Sequence, residues 1–317
     1  MNLLMAVLLS ALPILVALLA NTALSLEFHF YRNSCPQAEM VQRKIVKQHF
    51  NKDPSLSAGL LRLHFHDCFT RGCDASVLLD SKGDNVAEKE ASLNLSPRGF
   101  EVIDEIKLEL EKQCKGVVSC ADILALATRD GVALSGGSSY HIPTGRRNGT
   151  ISTIGDVQLP GPSFSIDAAL SALINLDLDD LTTLLGAHSI GFCHCGFFVD
   201  RLYNFEGTGL PDPDLDPGLL DSLQKKCPIP INQIFNISID PTVFMTPMTK
   251  TPFNLDSSFY RGVLDGEAIL LLDQELAFTD VTRTLALTYI NKPNVFRGKF
   301  SKAMIKLGNA NVLTGRD

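Results

Sequence analysis

Apolar residues recur at three- and four-residue intervals through most of this chain, which predicts helices. Residues 35–50 place Val41, Ile45 and Val46 inward and Lys44 and Lys47 outward, with Pro36 near the first turn. Residues 56–69 form a second helical stretch. Residues 99–112 carry Val102, Ile103, Ile106 and Leu110 on one face. Residues 118–134 bury Ile123, Leu124, Leu126 and Ala127 and stop at Gly136-Gly137. Shorter helices are expected over 165–173, 179–187, 219–226, 257–264 and 294–307. Between them lie a polar loop at 70–89, turns at 141–147 and 159–162, and a run rich in Pro, Gly and Asp at 207–218. Strand patterns are few and short, so the fold class is mainly α, with little β.

The first two dozen residues have another character. Residues 3–20 are almost wholly apolar, are interrupted by Pro13, and are followed by the small residues Ala23 and Ser25. This is the pattern of a secretory signal peptide over residues 1–25, leaving 26–317 as one folded domain. A membrane anchor is the weaker reading of so short and Pro-broken a run. Secretion makes the eight cysteines legible as disulfides, although counting leaves their pairing open. Sequons at Asn94, Asn148 and Asn236 suit the same compartment. A net charge of -7 argues against nucleic acid or an anionic membrane as partner.

The chemistry concentrates at residues 60–76, LLRLHFHDCFTRGCDAS. Arg62 and His66 stand four apart, so a helix puts both on one face. A permanent cation beside an imidazole suits a small substrate that must lose, move and regain a proton. In the second informative stretch, DLTTLLGAHSIGFCHC, Leu181, Leu184, Leu185 and His188 share a helical face. A histidine at the end of an apolar face could ligate a large flat cofactor, and such a ligand needs an acceptor for its other nitrogen.

The blocks Arg62-Leu-His-Phe-His-Asp-Cys-Phe69 and Gly72-Cys-Asp-Ala-Ser76 resemble the distal motif of secreted plant heme peroxidases. Val118-Ser-Cys-Ala-Asp122, Gly145-Arg-Arg147, Gly186-Ala-His-Ser-Ile-Gly191, Asp200-Arg-Leu-Tyr-Asn-Phe205 and Asp273-Gln-Glu-Leu276 match further blocks in the same order. The likeness extends from about residue 30 to residue 315, and it implies the helical fold of that family, two halves sandwiching a heme.

Residue by residue, the resemblance implies that His188 ligates heme iron while Asp273 accepts its Nδ1 proton. His66 would take a proton from hydrogen peroxide and return it to the departing oxygen, with Asn94 holding its ring. Arg62 would stabilise the charge that develops as the O–O bond breaks. Small phenols would then supply electrons singly near Pro160. Two calcium ions are implied. The distal one would be held by Asp67, Thr70, Gly72, Asp74 and Ser76, the proximal one by Ser189, Thr251, Asn254 (carbonyl) and Asp256. The disulfides implied are Cys35–Cys114, Cys68–Cys73 and Cys195–Cys227. A monomer, secreted to the apoplast or cell wall or sent to the vacuole, is expected.

The chain departs from the family at three places. The first proximal calcium aspartate has no match: Met248 stands at its spacing, and Asp240 fits only across an insertion. Cys120 lacks the C-terminal partner it has elsewhere, and Cys193 is extra, so both should be unpaired. Asn94 lies in a sequon, yet can support His66 only if buried and unmodified. Two rival readings remain: a metalloprotein using His64, His66, Cys68 and Cys193-His194-Cys195, and a catalytically silent secreted relative with a wall-binding role. The absence of Trp excludes a proximal Trp radical.

Overall fold

Residues 25–172, 175–228 and 239–315 are described by a computed structural model. The predicted leader and the Asn236 sequon lie outside them. The first half is organised by four long helices. These are α1 (Ala38–Lys52), α2 (Leu56–Thr70), α3 (Phe100–Gln113) and α4 (Cys120–Leu134). α2 lies against α4, and α1 spans both α3 and α4. Their shared core is aliphatic: Leu60, Leu63, Val102, Ile103, Ile106, Ile123 and Leu124 are all essentially inaccessible to solvent. α4 starts with a Ser119 cap, whose hydroxyl accepts from Asp122 N–H at 3.1 Å. It ends where Gly136 takes φ +86°, a left-handed stop that a side chain resists.

The second half comprises α5 (Ile166–Ala172), α6 (Leu178–Leu185), α7 (Val199–Tyr203), α8 (Pro217–Lys226), α9 (Ser258–Leu264), α10 (Leu271–Gln274), α11 (Asp280–Asn291) and α12 (Pro293–Gly308). α6 is closed at its start by a reciprocal capping box between Asp177 and Asp180. α8 begins two residues before the expected start, because Pro217 supplies the preset φ of a first helical position and Asp216 caps it. The core here is aromatic, with Phe259, Tyr260, Tyr289, Phe296 and Phe300 buried together. β1 (Phe192–His194) pairs antiparallel with β2 (Thr242–Phe244), the only sheet among the described residues.

Three elements were not expected from the hydrophobic pattern. α7 and α10 are a single turn long, and α11 buries only Thr282, Ala286 and Tyr289. That face has helical spacing, and its large aliphatic residues Leu285 and Ile290 are only partly buried at its edge. The expected turn at 141–147 is instead an extended strap, in which Thr144 pairs with Glu27 and Gly145 takes φ +113°.

The disulfides are Cys35–Cys114, Cys68–Cys73 and Cys195–Cys227, the pairs the resemblance implies. Cys120 and Cys193 carry free thiols. No helix among the described residues is long and apolar enough to cross a membrane.

Candidate active site

α2 delivers the two leading candidates. His66 is 1% exposed, and its Nδ1 donates to Asn94 Oδ1 at 2.5 Å. The Asn94 amide has a fixed orientation, since its Nδ2 donates to the Glu88 carbonyl at 2.8 Å. That fixes the histidine tautomer: the proton sits on Nδ1 and the Nε2 lone pair is left free. Burial, reinforced by the Arg62 charge, pulls His66 down to about 3, with the Asn94 bond opposing. The imidazole is therefore neutral at any ordinary pH, a base waiting for a proton. Asn94 is 2% exposed and both ends of its amide are engaged, so its sequon offers no glycan acceptor in the folded chain.

Arg62 shares the His66 face. Its guanidinium carbon lies 5.9 Å from the centre of the Phe197 ring, and its Nε is buried without a hydrogen-bond partner. A buried donor left open is costly unless something accepts from it. Here it marks a place for an anionic or polar ligand beside His66. Phe65 meets His66 edge-on at 5.5 Å and Phe69 at 4.4 Å, walling this side with aromatic rings.

The second candidate histidine follows α6. Gly186 opens a short 3-10 turn over Gly186–Ser189, and a Cβ at Gly186 would lie 2.5 Å from the Tyr260 hydroxyl and 2.6 Å from Phe296. Only glycine lets the helix end seat on these rings. Tyr260 in turn donates to the buried helix-end carbonyls of Thr182, at 2.9 Å, and Thr183, at 3.2 Å. His188 is thereby held with Nδ1 2.9 Å from both carboxylate oxygens of Asp273, whose side chain is buried on α10. Its other nitrogen, Nε2, is free to ligate. An imidazole with a carboxylate behind it and an open nitrogen in front is the donor set of an axial iron ligand. On that chemistry, with the open Arg62 donor, the residues present fit a heme.

A third cluster lies directly behind His66. Asp67 Oδ2 accepts from Ala75 N–H at 3.0 Å, while Asp67 Oδ1, Ser76 Oγ and both carboxyl oxygens of Glu88 are buried without partners. Asp74 is 4% exposed, and Gly72 and Ala75 take left-handed conformations that fold the loop inward. Burial raises Asp67 well above the carboxylate range and Glu88 to about 7. So many orphaned oxygens in one buried loop fit a hard divalent cation. Glu88 carried no sequence signal; only its burial and its backbone bond to Asn94 identify it.

The proximal calcium candidates do come together, around an Asp256 carboxylate whose two oxygens already accept hydrogen bonds. Asp256 Oδ1 accepts from Ser258 N–H at 2.8 Å, and Oδ2 receives the Thr251 hydroxyl and the Asn254 side-chain amide, each at 3.4 Å. Asp256 N–H donates to Ser189 Oγ at 3.3 Å. Met248 is 59% exposed, and Asp240 accepts Gly196 N–H on Oδ2 at 2.8 Å while its Oδ1 is buried without a partner. One carboxylate already holding several donors does not fit a calcium ion.

Pro160 lies half-buried in the 159–162 loop, beside a cavity of about 740 Å³. The metalloprotein alternative fails on geometry. Cys68 and Cys195 are locked in disulfides, and His64 sits 3.6 Å from Cys68 Sγ on the face of α2 turned toward Arg146 and Gly308. Cys193 is buried, and desolvation pushes its thiol up to about 12, which leaves no thiolate for a metal.

Comparison with known proteins agrees with this arrangement. A family model described as Peroxidase matches residues 42–292. The chain is 44% identical to Peroxidase 28 of Arabidopsis thaliana over 310 residues, covering 96% of this chain and 94% of the relative. Peroxidase 57 of the same plant is 43% identical, with 97% and 94% covered. Peroxidase 5 of Vitis vinifera is 43% identical over 296 residues, with 92% and 88% covered. Similarity of this extent, laid over a buried His66 and a half-buried His188 each oriented by its own acceptor, places the chain in the peroxidase family, among the class III plant enzymes.

Proposed function

We propose that this chain reduces hydrogen peroxide at a heme held between His66 and His188, and draws the electrons singly from small phenolic donors. The observation that carries the reading is the pair of oppositely used imidazoles. Asn94 leaves His66 free to accept a proton, and Asp273 leaves His188 free to bind iron. The heme supplies the two-electron chemistry when bound; the remaining steps belong to the protein. His66 Nε2 would take a proton from one oxygen of hydrogen peroxide and return it to the other, so that the leaving oxygen departs as water. The Arg62 side chain, half-buried with its Nε enclosed and unpartnered, meets the negative charge that builds on that oxygen. Asp273 keeps the His188 ring electron-rich and fixed in direction. With all five residues in place, a silent wall-binding role is not favoured. Purified protein should show a Soret band and oxidise guaiacol only when peroxide is added; retained heme without turnover would refute the reading.

A leader peptide, three disulfides and the exposed sequon at Asn148 support secretion of a monomer to the apoplast, wall or vacuole. The loop of Asp67, Thr70, Gly72, Asp74 and Ser76 is proposed to hold one calcium ion, with the proximal cluster closed by its own hydrogen bonds. Metal analysis after dialysis should therefore return one calcium per chain. Asp74→Asn should remove it and Asp256→Asn should leave it unchanged. Two ions per chain, or equal loss in both variants, would overturn the single-site assignment.

A further inference from the structure

The cavity beside Pro160 has a feature that the peroxide chemistry does not use. Its walls include Phe69, Leu159 and Phe164, and its polar side chains are Thr70, Arg71, Asp156 and Gln158. Arg71 Nη1 donates to Asp156 Oδ2 at 2.7 Å, and both side chains are about one-third exposed. Two packed rings separate the cavity from His66. Phe69 lies 4.4 Å from Phe65, and Phe65 lies 5.5 Å from His66.

Resting on the peroxidase reading, we propose that this cavity selects the donor, and that the Arg71–Asp156 pair makes it prefer neutral phenols with a hydroxylated side chain over the corresponding carboxylic acids. The aromatic walls accept a phenol ring by stacking and edge contacts. A hydroxyl can accept from the guanidinium and donate to the carboxylate at once, leaving the ion pair whole. A carboxylate must instead displace Asp156 from Arg71, or lie against it at the cost of like-charge repulsion. Asp156 thus acts by occupying the one cation in the cavity wall.

The test compares two probes that differ only at the end of the side chain, 4-hydroxy-3-methoxycinnamyl alcohol and 4-hydroxy-3-methoxycinnamic acid. In the wild type, kcat/KM should favour the alcohol. Asp156→Asn frees Arg71 without changing shape, and should move the alcohol-to-acid ratio toward the acid by roughly threefold to tenfold, mainly through KM. Arg71→Gln leaves the carboxylate bare and should move the ratio the other way. The rate of heme reaction with peroxide, followed by stopped flow before any donor is added, should be unchanged in both variants. An unchanged ratio, or an equal loss for both donors, overturns the selection while leaving the peroxidase reading intact. A wild type that oxidises neither donor with peroxide overturns both.

Discussion

Replacing His66 by Ala should leave heme bound through His188 and slow the reaction with peroxide by about 10²–10⁴-fold. The size follows from what is lost. Hydrogen peroxide is too weak an acid to surrender its proton unaided near neutrality, and the far oxygen is a poor leaving group until it is protonated. One side chain serves both needs in turn. Its fitness comes from Asn94, which accepts the Nδ1 proton and so presents a lone pair at Nε2. Free imidazole in the buffer should restore part of the rate, because the missing function is a proton acceptor. The pH profile separates this role from a structural one. His66 is held down to about 3, chiefly by burial and then by the Arg62 charge. The active form is the neutral one, present above that value, so the peroxide step should be flat from about pH 5 to 8 and fall only toward pH 3. A histidine titrating near 6.5 would instead lose half its rate at that pH. Stopped-flow Soret changes from pH 3 to 8 decide the matter. A rate in the Ala variant within threefold of wild type would remove His66 from the mechanism.

The sequence disclosed the distal half of this site better than the proximal half, for a physical reason. Arg62 and His66 share one helix, so their relation is a matter of spacing, and the apolar rhythm of residues 56–69 gives the helix itself. Asp273 reaches His188 across 85 positions, from a four-residue helical turn with too few residues to show a period. Family resemblance, not patterning, supplied that partner. The helix over 280–291 has a weak apolar signature, since its fully buried positions are Thr282, Ala286 and Tyr289 and its aliphatic Leu285 and Ile290 are only partly covered. Glu88 escaped because a buried carboxyl looks in sequence like any surface acid, and its Asn94 contact uses the backbone carbonyl. Conversely, the proximal calcium set was legible as residues but not as a site. Thr251 and Asn254 both donate to Asp256 Oδ2 while Ser258 N–H occupies Oδ1, and no spacing rule reports that.

The largest loss of stability should come from Asp122→Ala, about 3–5 kcal/mol in chemical denaturation with the disulfides intact. Asp122 is fully buried at the start of α4, and its carboxylate is used completely. Oδ1 accepts from Arg146 at 2.8 Å, and Oδ2 accepts from the Tyr31 hydroxyl at 2.6 Å and from Gly145 N–H at 2.7 Å. Arg146 extends the network, donating also to the carbonyls of Pro143 and of Gly308, the last residue of α12. One acid therefore ties the N-terminal segment, the 141–147 strap and the final helix to the α1–α4 core. Its removal strands a guanidinium that is 1% exposed, together with a hydroxyl and an amide that have no water to turn to. Asp122→Asn keeps the shape and at most part of the hydrogen bonding but drops the charge, so it should cost less than Ala and more than a surface change. The double variant Asp122→Ala with Arg146→Met tests the account directly. If the penalty arises from an unpaired buried charge, removing the arginine as well should recover part of it. Strict additivity of the two single losses would mean that the residues act independently, and that the strap is held by something other than this pair.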